Sequence, residues 1–397
     1  MYVTKTLSSL LRSPEILSQP PPDGPFSGVA VIMDEESMRR KGKGSSQRAD
    51  VNYLPIPQNK LIKISRVIGD GEESEYVMMI PVVDEPLSSD TYYVIKTTSK
   101  MAGLSITCSN EEVEMENCFC CSIPIIKDAT PQPFDPNNIY QQFKIIQRSG
   151  EGWARLHAES LVYDGRPPYF MTKEGWETTR VVSTSWPCDL NEADGQGLCA
   201  TLRDRLPEFG FPVWTRSSDH VVVGTWCVPF IFVKEFGMRY EELMRSSTYY
   251  KMSLEQRWER IFEWENLGGD LVAMAVDVGV KSEVVMLGGM VAVQRGGQLV
   301  EGVVRYEIAS QGVGGIGVSV GVVERMKWEQ ARGGWVDVGG GEVRVERVEE
   351  CPNGRGWRRF GCYVLVERFV LRRMDGSLAL THDFYHTHQL RYKWGQF

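Results

Sequence analysis

The chain has few histidines, no second paired-cysteine motif, no excess of basic charge and no long apolar run. Only five of its 397 residues are His. Nowhere does it carry the ~18–20 consecutive apolar residues of a membrane-spanning helix. The opening Met1-Tyr-Val-Thr-Lys-Thr-Leu-Ser-Ser-Leu-Leu-Arg12 lacks the apolar core of a signal peptide. No membrane span is therefore expected, and the expected setting is cytoplasmic. Lys and Arg number 44 against 52 Asp and Glu, a formal net charge of −8. That balance excludes general binding to nucleic acid, which depends on Lys and Arg neutralising phosphates. In a reducing compartment the nine cysteines read as free thiols rather than as a disulfide framework.

What is present is the composition of a folded globular protein, 42% hydrophobic and 24% charged. Leu7–Arg12 reads as a short helix ended by Pro14 and by the turn cluster Pro20-Pro-Pro-Asp-Gly-Pro25. Short β-branched or apolar runs at Gly28–Met33, Leu61–Ile68, Tyr76–Val83 and Thr91–Thr97 read as strands. The polar, basic segment between Asp34 and Asp50 reads as an exposed loop. A helix is expected over Leu254–Glu265, with Ser253 and Gln256 as a capping box and Leu254, Trp258, Ile261 and Phe262 as its apolar face. An upstream helix at Tyr240–Met244 pairs with it. Beyond Gly268 the character changes, and 21 of the 39 glycines fall between Gly268 and Gly361, interleaved with Val. Val276–Lys281, Val284–Leu287, Met290–Gln294, Leu299–Ile308, Gly317–Val323, Val343–Val348 and Tyr363–Arg372 suit a meander of strands joined by Gly-Gly and Asn-Gly turns.

The expected fold is thus α+β and β-dominated, mainly antiparallel β-sandwich or barrel-like units with a short helical connector. The expected units are an N-terminal β-rich domain over 1–235, a helical connector over 236–267 and a Gly/Val-rich antiparallel domain over 268–397.

Several motifs invite a chemical reading. Gly312-Val-Gly-Gly-Ile-Gly317 matches the dinucleotide-binding pattern, with Asp337 twenty residues on. Its flank, Val318-Ser-Val-Gly-Val-Val323, makes a poor first helical turn for a pyrophosphate to sit on. Gly317-Val-Ser-Val-Gly321 matches the nucleophile elbow, with Ser319 as the serine, but no alternating βα pattern precedes it. Cys118-Phe-Cys-Cys121 lacks the second pair that a zinc site needs. It leaves peripheral membrane attachment by S-acylation as an alternative to free thiols. Trp-bearing segments at Trp153, Trp176, Trp357 and Trp394 suit core packing or the walls of a pocket for a hydrophobic small molecule.

The remaining motif is His382-Asp-Phe-Tyr-His386-Thr-His388, which holds three of the five histidines. Imidazole titrates near neutrality and ligates metals. On a strand, His382, His386 and His388 would share a face with Phe384, and Asp383 and Tyr385 would point the other way; on a helix only His382 and His386 would align. Metal binding, acid–base catalysis and mutual hydrogen bonding at a sheet edge all fit this pattern. His382, His386, His388, Asp383 and Tyr385 are therefore the candidate catalytic residues, with no cofactor expected.

Ordered stretches along nearly the whole chain resemble a plant-specific family catalogued as domain of unknown function 1262. They are Met1-Tyr-Val-Thr4, Leu17–Gly28, Tyr92-Tyr-Val-Ile-Lys96, Pro167-Pro-Tyr-Phe170, Met252–Glu259, Val323–Glu329, Phe360–Phe369 and His386-Thr-His-Gln389. The resemblance implies a plant origin and an intracellular setting and supplies no catalytic residues. Two functions are expected from this reading. One is a binding or interaction protein, linked to stress or defence, with aromatic clefts. The other is a cofactor-independent cyclase, isomerase or hydrolase that uses the histidine tract.

Overall fold

The computed structural model describes residues 1–40, 54–68, 71–110, 114–118, 121–125, 127–150, 153–172, 177–182, 190–268, 271–295, 302–309, 314–352, 354 and 356–396. From the N-terminus, β1 (Tyr2–Thr6) and β2 (Gly28–Ile32) bracket α1 (Leu7–Arg12), and α2 (Glu35–Arg40) follows. A β-rich stretch runs through β3 (Leu61–Ile68), β4 (Gly71–Pro81), β5 (Thr91–Lys96), β6 (Glu114–Cys118), β7 (Cys121–Ile125), β8 (Gln142–Gly150), β9 (Trp153–Ser160), the turn of helix α3 (Tyr169–Thr172) and β10 (Glu177–Val182). Then come β11 (Gly197–Leu198), α4 (Ala200–Arg205), β12 (Val221–Pro229), β13 (Val233–Glu235), α5 (Tyr240–Ser246) and β14 (Tyr249–Glu265). The last third holds β15 (Ala273–Lys281), β16 (Glu283–Leu287), β17 (Met290–Val291), β18 (Val293–Gln294), β19 (Val303–Glu307), β20 (Ile316–Ser319), α6 (Val320–Arg332), β21 (Glu342–Glu350), β22 (Trp357–Arg372) and β23 (Leu378–Gln396).

The β-dominated reading holds, with several largely antiparallel sheets and few helices. The principal sheet runs β17-β16-β23-β22-β14-β12-β1-β2, with β11 also on β12. Its centre is three long strands, β14, β22 and β23, of 17, 16 and 19 residues. β22 is buried almost throughout, Glu367 included, because it is central and both of its faces are covered. β1 and β2 close one edge as a parallel pair. A six-stranded sheet, β10-β3-β4-β5-β8-β9, packs beside α1, where Leu7, Leu10, Ile62, Val77, Tyr92 and Phe143 share a core.

Two expected elements are corrected. The segment Leu254–Glu265 is not a helix but most of β14, paired to β12 on one side and to β22 on the other. Leu254 and Trp258, four apart, share a strand face as readily as a helix face. A bulge at Ile261 then re-phases the strand, since Arg260 pairs with Tyr363 while Phe262 pairs with Cys362. Two flanking ladders decide against the local helical pattern. Conversely, Gly317–Val323 is not one strand. β20 stops at Ser319 and α6 begins at Val320. The helix is carried by Glu324–Arg332, a run of good helix formers. Val322, Val323 and Met326 reach the main core beside Val318, Phe369 and Phe384.

On one face of the long strands lie α6 and α4. On the other lies the two-stranded ribbon β15–β21, whose Val276, Val280 and Val345 pack with Trp357, Phe360 and, at the margin, Tyr385. The segment Val221–Val233 is divided by the Phe230–Phe232 turn between β12 and β13, which belong to different sheets. The Asp34–Asp50 loop begins as α2, and its residues 41–50 lie outside the described residues.

Candidate functional site

β23 carries the histidine tract, and its alternation distributes the five candidate residues over both faces of the sheet. His382, Phe384 and His386 face α6, and Asp383 and Tyr385 face the opposite way. The separation is visible in their partners, since His386 bonds Gln330 of α6 while Asp383 bonds Arg257 and Arg368 of the neighbouring strands.

His382 is 1% exposed and lines a cleft of about 490 Å³. Its Nε2 lies 2.9 Å from Oε2 of Glu283, a diagonal neighbour on β16. Glu283 Oε1 accepts from Lys327 Nζ of α6 at 3.2 Å, and Lys327 also reaches Asp337 Oδ2 at 2.9 Å. Burial alone would raise the Glu283 pKa. The bonds to His382 and Lys327 outweigh it and hold Glu283 below the usual carboxylate range. Lys327 is correspondingly held above the usual lysine value, against its own burial, by Asp337 and Glu283. The His382 ring stacks on Phe384 at 4.3 Å between centroids, and Tyr306 approaches its edge at 6.2 Å. Seven valines, among them Val284, Val285, Val304 and Val323, line the cleft. The cleft thus has a mixed wall of valines and polar side chains, built where β16, β19 and α6 meet.

His386, also 1% exposed, lies deeper, in a sealed ionic cluster. Its Nε2 is 2.8 Å from Gln330 Oε1 and 3.7 Å from Glu367 Oε2. Glu367 on β22 takes a bidentate grip from Arg203 of α4, at 2.9 and 2.6 Å, and a bond from Gln256 at 2.8 Å. Burial pushes the Glu367 pKa up, but His386 and Arg203 pull it down to about 2. Glu329, bonded by Arg325 at 2.7 Å, behaves oppositely. Its burial prevails over the neighbouring arginines and raises it. The cluster ties α4 and α6 to the sheet and does not line the described clefts.

Asp383 is 2% exposed and bridged by Arg368 and Arg257, with Arg257 passing on to Glu259 at 2.6 Å. Tyr385 donates to Glu259 at 3.3 Å. Both belong to an arginine–carboxylate cross-strand array on the far face. His388 is exposed. Pairing of β23 with β22 jumps from His386–Leu365 to Leu390–Val364, so Thr387–Gln389 bulge out. His388 rests near His386, 5.5 Å between ring centroids. Of the five residues, the structure therefore places one in a cleft.

Ser319 does stand between a strand and a helix, but its backbone is ordinary (φ −50°, ψ 138°) rather than strained, and its buried hydroxyl has no hydrogen-bond partner among the described residues. Gly312 and Val313 of the glycine loop lie outside the described residues, and α6 starts three residues past Gly317. Cys118 and Cys121 face each other across the β6–β7 hairpin; Phe119, Cys120 and the side chains of this tract lie outside the described residues, as does Trp176. Trp357 is core. Among the described residues no group of three or more His, Cys, Asp or Glu is placed to hold a metal ion.

Glu283, Lys327 and Tyr306 form the cleft with His382 and escaped the sequence reading. β16 itself was legible, but its register against β23 has no local signal. Lys327 was findable, because Glu324–Arg332 followed by Gly333-Gly334 carries a helix and its C-terminal stop.

A family model described as "Protein of unknown function (DUF1262)" matches residues 23–121, which shows the resemblance over that stretch. The motifs at Met252–Glu259, Val323–Glu329, Phe360–Phe369 and the histidine tract lie beyond it. No curated protein matches the chain. A solved structure described as "Crystal structure of Cry35Ab1" is similar at 12% identity with a TM-score of 0.42, covering 85% of this chain and 90% of that one.

Proposed function

We propose, for a chain whose residues 23–121 match the family of unknown function DUF1262, that this protein binds a largely apolar small molecule in the valine-lined cleft beside His382. The observation that supports this most is the composition of the cleft. Valines share the wall with polar side chains, of which His382, Glu283, Lys327 and Tyr306 gather together. Small-molecule sites have this character, with apolar area supplying affinity and a few fixed polar atoms supplying orientation. Its volume of about 490 Å³ lies within the range of such sites, roughly 300–1,000 Å³. Of the tryptophans expected to pack in a core or to wall a pocket, Trp357 is buried in a core and Trp394 packs against it. The family resemblance supports a plant origin and an intracellular setting, and we propose stress or defence as the context.

Nile red, a neutral apolar dye, tests this reading. The expected result is saturable fluorescence enhancement at one dye per chain, abolished in Val304→Trp, whose indole fills the trough. Unsaturable enhancement, or enhancement equal in wild type and Val304→Trp, overturns the reading. A second reading, acid–base catalysis, rests on the pairing of an imidazole with a carboxylate at the cleft. His382 would exchange the proton and Glu283 would orient and stabilise its charged form.

A further inference from the structure

The polar groups gathered in the cleft are unequally engaged, and the one left open specifies what the cleft accepts. This inference rests on the small-molecule reading above and deepens it.

Glu283 is engaged on both oxygens, Oε1 by Lys327 at 3.2 Å and Oε2 by His382 Nε2 at 2.9 Å. Lys327 is shared in turn between Glu283 and Asp337. The second ring nitrogen of His382, Nδ1, is sealed from solvent and meets no ligand. Tyr306 differs from all three. It lines the cleft and is 3% exposed, and its hydroxyl has no hydrogen-bond partner among the described residues. That hydroxyl is not one of the sealed polar atoms, so solvent reaches it through the cleft that Tyr306 lines. Burial and, after it, the charge of Glu283 hold the phenol well above its usual pKa. The Glu283 charge acts on the hydroxyl itself, which sets that end of the ring toward the carboxylate of the cleft. At neutral pH the phenol keeps its proton and stands as an unspent donor.

The charges on the lining balance, Lys281 and Lys327 against Glu283 and Glu324. An anionic ligand would bring a third carboxylate to an ammonium that already holds two.

We propose that Tyr306 determines the specificity of the cleft, and that the ligand is a neutral, largely apolar molecule with a carbonyl, a ketone or ester, whose oxygen accepts from the Tyr306 hydroxyl. A hydrocarbon of the same shape covers the valines but leaves the phenol proton unbonded. An alcohol accepts the same bond but brings a proton that itself needs an acceptor.

Displacement of Nile red from the full chain by acetylnaphthalene, naphthylethanol, ethylnaphthalene and naphthoate tests the proposal. The four probes share one ring system and differ at one group. Wild type is expected to bind the ketone about fivefold or more tighter than ethylnaphthalene, the scale of one net hydrogen bond. The alcohol is expected to bind no tighter than the ketone, and naphthoate weakest. Tyr306→Phe removes one oxygen that bonds no described residue. Its melting temperature and its affinity for ethylnaphthalene are expected to match wild type, while the preference for the ketone is lost. Saturable dye binding with ketone and hydrocarbon equal in wild type overturns the carbonyl assignment and leaves the cleft reading intact. A ketone preference that survives in Tyr306→Phe overturns the role of Tyr306, and a lowered melting temperature there overturns the claim that its hydroxyl is unspent. Tightest binding of the alcohol overturns the acceptor assignment, and tightest binding of naphthoate overturns neutrality. A wild-type chain that takes up no dye saturably removes the cleft reading and this inference with it. The comparison of probes on wild type needs no variant to fold.

Discussion

At the scale of single residues, the sheet face beneath α6 holds two histidines with different surroundings. His382 borders a cleft and His386 is enclosed, though they lie four residues apart on one strand. The difference is set by what covers them. Valines and a solvent-open trough stand over His382, whereas Arg203, Gln330 and Glu367 surround His386. The ion pair of Arg203 with Glu367 is the clearest energetic commitment in that cluster. Removing one partner of a buried pair strands the other charge, at about 3–5 kcal/mol. Glu367→Gln is therefore expected to lower stability by that order in urea denaturation. The same residue gives acid sensitivity. Its folded pKa of about 2 lies below its ordinary value of 4.5. Its stabilising contribution is complete above pH 4.5 and is lost as pH falls toward 2. Glu329, raised by burial, contributes with the opposite sign, and its change lies above its ordinary value of 4.5, outside this window. Wild-type stability should fall through this window, and Glu367→Gln should flatten the fall. An unchanged acid slope in the variant would remove Glu367 as its source.

At the scale of elements, β14 and α6 show how far local sequence decides. The helical spacing of Leu254, Trp258, Ile261 and Phe262 was legible and misleading. Even spacings serve a strand equally, and the bulge at Ile261 turns Phe262 toward the other face. For α6 the misleading signal was Val318–Val323, rich in β-branched residues and glycine. Gly321 is retained in the first turn for a steric reason. A Cβ there would lie 2.2 Å from the Phe26 ring, which is itself packed edge-on to Phe232 at 5.0 Å. Gly321→Ala gains up to about 1 kcal/mol of helix propensity and incurs about 1–3 kcal/mol of overpacking. A net loss of roughly 1 kcal/mol is expected, seen as a lowered melting temperature that Phe26→Leu in the same chain restores. A Gly321→Ala protein more stable than wild type would show that Phe26 yields freely.

At the scale of the whole molecule, the principal sheet draws β1 and β2 from the first 32 residues and β23 from the last 20. The division expected from composition, with an independent unit over 268–397, makes a sharp prediction when set beside this sheet. A fragment of 268–397 lacks β14, which pairs with β22 from Lys251 to Glu265 and covers one whole side of it. A long apolar strand with an unpaired edge invites aggregation. The fragment is expected to be unfolded or aggregated by far-UV circular dichroism and sedimentation. A soluble fragment with a cooperative melt would restore the C-terminal unit as an autonomous domain.

The sequence by itself determined that this is a β-dominated protein and where most short strands and α1 lie; for the histidine tract it offered a strand, with His382 and Asp383 on opposite faces, beside a helix. These follow from period-two patterning, turn chemistry and chain-breaking residues, which act over a few positions. The tertiary structure alone decided which strands pair, and with what register. That register placed Glu283 diagonal to His382, brought Lys327 over both from α6, and sealed His386 against Arg203 from more than 180 residues earlier. Hydrogen-bond ladders between distant segments carry no local signature, so the cleft and the pairing of His382 with Glu283 became visible only once the sheet was assembled.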